Sequence, residues 1–442
     1  MDGRRSRRRL LATLASLTLP GFTGCSAVES PGSESGSTHE RTARGTGATT
    51  GGRTDDGAAD PATADGTTDT DPTPTDDPAP GYGSPPGDPP LDPDGEWPMD
   101  RFDAGHTAAN PDGEGLRDPE RYWRLDAGRR AVLDGGVLFT LSSDDFMNRR
   151  DPTDLSLRSR TSFGPVGHVY GSAATDDRVY TTAFGEVFCT AADRDALHWR
   201  GPEHGMDGIG YPPVVTDDAV FVGSGGFEET PPQVRAFGLD GRQRWRTELP
   251  SEARTSPSVS GDRLMIGTQD GLVGLDATTG EVLYTVSESV SEFRVPVLDD
   301  GAAFATVNEN RPGREVVSLD PADGTVRWRR ELGGAYPPIV AGDRLYTEVD
   351  DAIAVLDSTD GERVGTLDAD GIPVALAGGV VYARAREEVL AADVETGERL
   401  WRYDVDRDLD PGEGGYGIGI TPAGGAVYVS VDGSVVGFGP GA

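Results

Sequence analysis

Short apolar runs separated by turn residues dominate the chain after about residue 120. Each run follows an Asp-Asp, Gly-Asp or Gly-Gly pair, as at Val220–Val222, Leu264–Ile266, Leu345–Tyr346 and Val380–Tyr382. Such pairs suit tight hairpin turns, which need residues that accept a positive φ. The pattern therefore predicts short antiparallel strands along most of the chain.

A phrase repeats along these strands. Its clearest copy is Ala391-x-Asp393-x-x-Thr396-Gly397-x-x-x-Trp401, with weaker copies at 274–284, 318–328 and 355–365. The copies end 36 to 46 residues apart, at Trp123, Phe163, Trp199, Trp245, Tyr284, Trp328, Gly365 and Trp401. Three strand-like runs precede each end position and a fourth contains it. Such a period indicates stacked units, and four short antiparallel strands per unit predict a β-propeller blade.

The two ends of the repeat complete one another. The C-terminal stretch 424–442 supplies three strands without an aromatic fourth, and the segment around Trp123 supplies a fourth strand without the other three. Joining them removes the edges that an open ring would expose. We predict an all-β fold, an eight-bladed β-propeller of four-stranded antiparallel blades, in which an N-terminal strand joins the C-terminal blade. The copy ending at Phe163 fits the phrase poorly, and Gly365 stands where an aromatic is expected.

The phrase resembles the tryptophan-docking repeat of the pyrroloquinoline-quinone (PQQ) β-propeller superfamily. That superfamily includes quinoprotein dehydrogenases and the non-enzymatic lipoprotein of bacterial outer-membrane assembly. The resemblance spans 97–442, and residues 97–111 resemble the family's N-terminal segment, with Asp103 and Thr107 in the usual places. It implies that large flat side chains stack on glycine turns of neighbouring blades. The residues that it assigns to this docking are Trp123, Trp199, Trp245, Trp328, Trp401 and Gly397.

The first residues predict export and a lipid anchor. Ser6-Arg7-Arg8-Arg9-Leu10-Leu11 is typical of a twin-arginine signal, and the apolar run after it is too short to span a bilayer. The stretch Phe22-Thr23-Gly24-Cys25 resembles a lipobox. We expect residues 1–24 to be a signal peptide and Cys25 to carry a lipid on the outer face of the cell membrane. The alternative is an ordinary signal peptide with an incidental cysteine.

Residues 25–96 predict a disordered tether. They are mostly Thr, Asp, Gly, Pro, Ser and Ala, with fifteen acidic residues against three arginines, a net charge of −12. A segment of this composition buries too little apolar surface to offset the entropy of ordering. The propeller is then predicted over 97–442.

Charge indicates the environment of the protein. The chain has 75 acidic and 40 basic residues, all of the latter arginine, and a net charge of −35, of which −27 falls on 97–442. Concentrated salt screens such self-repulsion. Together with the signal and the lipobox, this composition resembles that of haloarchaeal secreted lipoproteins. It disfavours nucleic acid as a partner, since two polyanions would meet.

Residues that could carry catalysis are few. Cys189 falls on the small-residue position of the repeat, and His198 and His204 are six apart, which is not a recurring ligand spacing. The sequence lacks the adjacent cysteines and the clustered Glu, Asn and Asp that the resemblance implies for a quinone site. We expect no metal, no PQQ and no catalysis. The alternative is a quinoprotein dehydrogenase or electron-transfer protein.

Binding is the function that we expect, because loops on the flat faces of a rigid scaffold usually carry it. The long stretches are 142–154, 200–213, 223–233 and 406–419. Tyr211, Phe227 and Tyr416 are candidate anchors for a partner protein or a surface glycan. We predict a monomeric binding scaffold. Loops that are merely tolerated insertions, or a structural role in organising the envelope, are the alternatives.

Overall fold

A computed structural model describes residues 95–441 except 126–128, 143–145, 165–168, 176, 184, 203–209, 227–229, 289–293, 300, 308–313, 333–335, 351, 386–387, 405–418 and 432–433. These residues form 33 strands in eight sheets, each with four antiparallel strands, and one sheet has a fifth, parallel strand. None of the elements in this part of the chain is a helix that is long and apolar enough to cross a membrane.

Blades 1 to 4 follow one another along the chain, and each contributes four consecutive strands. Blade 1 contains β3 (Arg129–Asp134), β4 (Val137–Leu141), β5 (Phe146–Arg150) and β6 (Leu157–Ser162). Blade 2 contains β7 (Val169–Thr175), β8 (Arg178–Ala183), β9 (Glu186–Ala191) and β10 (Leu197–Gly201). Blade 3 contains β11 (Val214–Val215), β12 (Ala219–Ser224), β13 (Gln233–Gly238) and β14 (Gln243–Glu248). Blade 4 contains β15 (Ser258–Ser260), β16 (Arg263–Thr268), β17 (Gly271–Asp276) and β18 (Val282–Val286).

Blades 5 to 7 repeat this order, and blade 8 combines both ends of the propeller. Blade 5 contains β19 (Val297–Asp299), β20 (Ala302–Val307), β21 (Glu315–Leu319) and β22 (Val326–Glu331). Blade 6 contains β23 (Ile339–Ala341), β24 (Arg344–Val349), β25 (Ala352–Asp357) and β26 (Arg363–Leu367). Blade 7 contains β27 (Ile372–Ala377), β28 (Val380–Arg384), β29 (Glu388–Asp393) and β30 (Arg399–Asp404), with β1 (Ala109–Asn110) parallel to β27. Blade 8 contains β31 (Gly419–Ala423), β32 (Ala426–Val431), β33 (Ser434–Pro440) and β2 (Pro119–Leu125).

The N-terminal strand closes the ring as predicted. β2 pairs antiparallel with β33, from Pro119 opposite Pro440 to Leu125 opposite Val435. The first strands of blades 8 and 1 contact each other, as do those of blades 1 and 2. Both the number of blades and the mode of closure are confirmed.

Indole docking joins consecutive blades. Trp245 of blade 3 donates from Nε1 to the carbonyl of Ala277 in blade 4 at 2.9 Å. A Cβ added to Gly280 in the same turn would lie 2.6 Å from the indole ring, so the ring packs where only glycine leaves room. The same pair of contacts joins Trp199 to Leu239 and Gly241, Tyr284 to Pro321 and Gly324, and Trp328 to Ser358 and Gly361.

Blades 6 and 7 meet without an aromatic. Gly365 lies opposite Val355, at the register where Trp245 lies opposite Ala236. Gly397 has the positive φ of its equivalents, yet an added Cβ would meet only the Thr366 carbonyl, at 3.0 Å. Gly397 therefore keeps the turn geometry and receives no indole.

The closing blade docks by other means. Trp401 donates to the carbonyl of Leu116 at 2.8 Å, and Leu116 precedes β2 rather than belonging to a glycine turn. Trp123 has no hydrogen-bond partner for Nε1 among the described residues. At the turn that Trp123 faces, Leu155 takes the positive φ of 58° usually taken by glycine. It packs in the same core cluster as Trp123, so this junction is held by apolar contact.

Blade 1 differs from the sequence prediction. Phe163 lies beyond β6, and the residue at the aromatic register is Ser159, opposite Arg149. Counting from one aromatic to the next therefore placed the docking residue of this blade four positions too far along the chain.

Candidate binding face

The two flat faces of the propeller carry different connections. Because the strands of a blade alternate in direction, the turns between strands one and two and between three and four share one face, here called the hairpin face. The turns between strands two and three and the links between blades share the other, here called the loop face. The described residues of the predicted long stretches 200–213 and 223–233 belong to the loop face. Of the stretch 406–419, only Gly419 is described, at the start of β31. Only 142–154 reaches both faces, through β5.

The segment 97–110, here called the inner segment, runs around the central channel near the hairpin face. Its backbone forms hydrogen bonds with the first strands of six blades, in each case at the equivalent residue of the strand. Trp97 exchanges two hydrogen bonds with Leu133, at 2.8 and 3.0 Å. The carbonyls of Pro98, Ala104, Gly105, Thr107 and Ala108 accept from Ala174, Val259, Leu298, Val340 and Leu376 respectively, at 2.7 to 2.9 Å.

Polar anchors hold the inner segment in place. His106 is 1% exposed, and its ring nitrogens lie 3.2 Å from the Asp100 carbonyl and 3.1 Å from that of Pro257. Burial lowers the pKa of His106, and it lowers the pKa of Arg101 to about 10. A Cβ on Gly105 would lie 2.1 Å from the Leu298 carbonyl oxygen. The chain's own backbone thus lines the hairpin-face end of the channel.

The two residues that the resemblance placed in this segment stabilise its turn. Asp103 accepts from the backbone N–H of Thr107 at 2.9 Å and from its hydroxyl at 2.6 Å. Both carboxylate oxygens are therefore used within the turn. The pair shapes the inner segment.

At the loop-face end, one repeat position lines the approach to each inner strand. It lies three residues before the first core residue of that strand, and we call these the mouth positions. In blades 2 to 7 they are Tyr170, Tyr211, Thr255, Arg294, Tyr336 and Ile372. All are half-buried except Thr255, which is buried.

Tyr211 is the predicted anchor that the structure describes. Its carbonyl accepts from the Thr182 hydroxyl of blade 2 at 2.8 Å, and its own hydroxyl donates to the Ala253 carbonyl in the link before blade 4 at 3.3 Å. Tyr211 therefore joins blade 2 to the link before blade 4 at the mouth and leaves part of its ring exposed. Phe227, Tyr416 and Cys25 lie outside the described residues.

The other candidate residues occupy separate environments. Cys189 is buried opposite Trp199, and burial raises the pKa of its thiol to about 11. His198 is exposed on β10, and His204 lies outside the described residues. In the part of the chain that is described, no group of three or more His, Cys, Asp or Glu side chains is placed to hold a metal ion.

Sequence reasoning missed a group of three residues at the mouth. Arg294 and Arg384 both stack on the ring of Tyr336, with guanidinium carbons 4.7 and 5.2 Å from its centroid. The three come from the links before blades 5 and 6 and from blade 7. Superposing the repeats position by position would have marked Arg384, because most blades have Thr, Gly or Ser at its position.

Comparison with known proteins agrees with this architecture. The model of a family described as "Outer membrane protein assembly factor BamB" matches residues 183–336, 275–408 and 349–439. Among curated protein sequences, none matches the chain at a significant level.

Several solved structures share the fold. BamB from Moraxella catarrhalis is 15% identical and aligns over 74% of this chain and 97% of its own, with a TM-score of 0.55. The computationally designed Ika8 protein is 13% identical over 75% and 99%, with a TM-score of 0.58. Quinohemoprotein alcohol dehydrogenase from Comamonas testosteroni is 14% identical over 78% and 81%, with a TM-score of 0.56. At these identities the structures share a fold, whereas the family model matches more than half of the sequence. This chain belongs to the propeller family of the outer membrane protein assembly factor BamB.

Proposed function

We propose that this protein is a non-catalytic binding scaffold, held outside the cytoplasm by a lipid on Cys25, which receives a protein partner on its loop face. The predicted signal peptide and lipobox support the location. The description of the matching family as an assembly factor supports binding rather than turnover.

The observation that carries the proposal is the opposite placement of the inner segment and the long links. Trp97 pairs with Leu133 near the hairpin-face end of β3. The mouth positions and the described residues of the stretches 200–213 and 223–233 lie at the other end of the channel. Longer loops on a rigid scaffold are where binding residues concentrate, so we infer that a partner binds the loop face.

The matched arginines of blade 4 provide the test. Arg254 lies on the loop face with 25% of its side chain exposed and pairs with Glu252 at 3.0 Å. Arg263 lies on the hairpin face with 28% exposed and pairs with Asp262 at 2.8 Å. Full-length protein is used to capture partners from membranes solubilised in high salt. We expect Arg254→Glu to reduce capture and Arg263→Glu to leave it unchanged; equal capture by both variants contradicts the proposal.

A quinoprotein dehydrogenase or electron-transfer protein is the second candidate, because the fold of a quinohemoprotein enzyme covers 78% of this chain. The described residues do not fit a quinone held beside a divalent cation. The inner segment lines the hairpin end of the channel, and the described residues of the mouth include arginine and tyrosine rather than a set of carboxylates. Protein purified in PQQ with calcium should show no visible quinone band and no dye reduction. Clear turnover would overturn the scaffold proposal.

A further inference from the structure

One repeat position beside the mouth is uncharged in most blades and charged in one sector of the ring. The second strand of each blade has a large core residue, and the residue two places later lies nearer the loop face. We call these later residues the collar positions. From blade 1 to blade 8 they are Leu141, Thr182, Gly223, Gly267, Thr306, Glu348, Arg384 and Ser430. Charge occurs only in blades 6 and 7 of this set.

In other blades, residues at the collar positions form hydrogen bonds that join neighbouring blades. Thr182 and Thr306 donate to the carbonyls of the next mouth residues, Tyr211 and Tyr336, at 2.8 and 2.9 Å. In blade 4 the backbone N–H of Gly267 donates to the hydroxyl of Thr255 at 2.9 Å. Small and hydroxyl residues are thus sufficient to join blades at this level, and the blade architecture does not require Arg384.

Arg384 belongs instead to a cationic group with an aromatic centre. Its guanidinium and that of Arg294 both lie over Tyr336, and the backbone of Tyr336 is fixed by Thr306. Burial lowers the pKa of Arg384, and the positive charge of Arg294 lowers it further. Tyr336 and Glu348 act in the opposite direction and raise it. Two half-buried cations held close together destabilise each other, and stacking on tyrosine offsets only part of that cost.

We propose that Arg294, Tyr336 and Arg384 form a carboxylate-binding site at the loop-face mouth of the channel, occupied by an acidic group of a protein partner. The inference rests on the proposed scaffold function and names the chemistry of its partner. Among the described residues that act on Arg384, Arg294 is a second cation and Glu348 is an anion. The planar fork of an arginine matches a carboxylate in two parallel hydrogen bonds. An extended polyanion fits poorly, because the rest of the propeller is strongly negative.

Three fluorescein-labelled peptides test the site by anisotropy, with full-length protein at one fixed salt concentration. Tetraglutamate amide presents only side-chain carboxylates, tetraglutamine acid presents only a chain end, and tetraglutamine amide presents neither. We expect binding of at least one of the first two and none of the third. Whichever binds identifies the source of the carboxylate. If neither binds more tightly than tetraglutamine amide, the site does not exist.

Variants separate the site from general charge. Arg384→Gln should weaken binding about tenfold or more, because a buried charge contact is lost. Arg294→Gln should act likewise and serves if Arg384→Gln fails to fold, which near-ultraviolet circular dichroism reveals. Arg402→Gln is the matched control in blade 7, since Arg402 is 62% exposed and pairs with Glu388 at 3.0 Å. Equal binding by wild type and Arg384→Gln, or equal loss in Arg402→Gln, overturns the proposal. Peptide binding without any captured partner would reject the scaffold function and leave the site intact.

Discussion

Arg149 lies directly opposite Ser159 on strands β5 and β6, and the pair reverses the sizes found at these two positions in other blades. Elsewhere a small residue such as Ala236 faces an aromatic such as Trp245. Arg149 is fully buried and donates to the Ala191 carbonyl of blade 2 from Nε at 3.1 Å and from Nη2 at 2.8 Å. Its remaining bonds reach the hydroxyls of Thr161 and Thr190, at 2.8 and 2.9 Å. A guanidinium therefore performs in blade 1 the docking that an indole performs in blades 2, 3 and 5.

Replacing this arginine should loosen the junction of blades 1 and 2. We expect Arg149→Ala to destabilise the fold by about 3 kcal/mol or more, because it leaves a cavity and unpaired buried oxygens. Restoring the usual pair, with Arg149→Ala and Ser159→Trp together, should recover part of this loss. Chemical denaturation measures both. Arg194→Ala is the control, since Arg194 is 65% exposed and pairs only with its neighbour Asp193 among the described residues; a loss there equal to that of Arg149→Ala contradicts the account.

Glycine turns that receive an indole should tolerate substitution worse than open glycine turns. Gly280 and Gly261 both have positive φ, 76° and 58°, but only Gly280 touches an indole. Gly261→Ala should cost about 1 kcal/mol from backbone strain alone. Gly280→Ala should cost about 1–3 kcal/mol more, because Trp245 must move. Thermal unfolding of the two variants provides the comparison, and equal losses would show that the stacking contributes nothing.

The N-terminal residues should be needed for a closed ring. A chain that begins at residue 95 retains the inner segment and β2, and we expect it to unfold cooperatively at the temperature of the full-length protein. A chain that begins at residue 127 lacks β2 and the carbonyl of Leu116 to which Trp401 donates. Because β33 then becomes an exposed edge, this chain should aggregate or unfold without cooperativity. Calorimetry distinguishes the two, and a cooperative transition in the shorter chain would rule out closure by β2.

Acid should weaken the contact between the N-terminal segment and blade 7. Asp393 accepts from the backbone N–H of Thr396 at 2.8 Å and pairs with Arg117, and these contacts lower its pKa to about 2. Since the unfolded pKa is near 3.8, the carboxylate stabilises the fold above that pH, and the stabilisation is lost as pH falls towards 2. Asp393→Asn should therefore lower Tm at neutral pH, with the difference from wild type vanishing between about pH 4 and 2. Glu398→Gln, an exposed change in the same turn, controls for loss of a carboxylate; a pH-independent difference for Asp393→Asn contradicts the assignment.

Blade number and closure could be predicted because they depend on local signals. The Asp-x-x-x-Gly turn and the residue four places after the glycine recur along the chain, and Trp199, Trp245, Tyr284 and Trp328 mark blades 2 to 5. The exchange of the large and small residues at Arg149 and Ser159 could not be predicted from such local signals. There the large residue lies on the third strand and the small residue on the fourth, the reverse of the usual pair. Each residue taken alone in the sequence does not reveal this exchange.

The inner segment and the mouth depend on contacts between distant residues. Gly105 meets Leu298 through backbone atoms, which no side-chain pattern reports. Arg294, Tyr336 and Arg384 come together only once three blades stand side by side. Tyr211 could be selected because it lies in a glycine-rich stretch, whereas Tyr336 occupies the equivalent mouth position in a shorter link.

Photo-crosslinking tests most directly whether a partner binds the loop face. Gln269 and Thr278 are exposed turn residues of blade 4, the first on the loop face and the second on the hairpin face. A photo-reactive amino acid is placed at each position in turn in the full-length protein, which is then irradiated in its native membrane. We expect a discrete crosslinked partner from position 269 and none from position 278. Crosslinking from 278 alone, or from both positions equally, contradicts it.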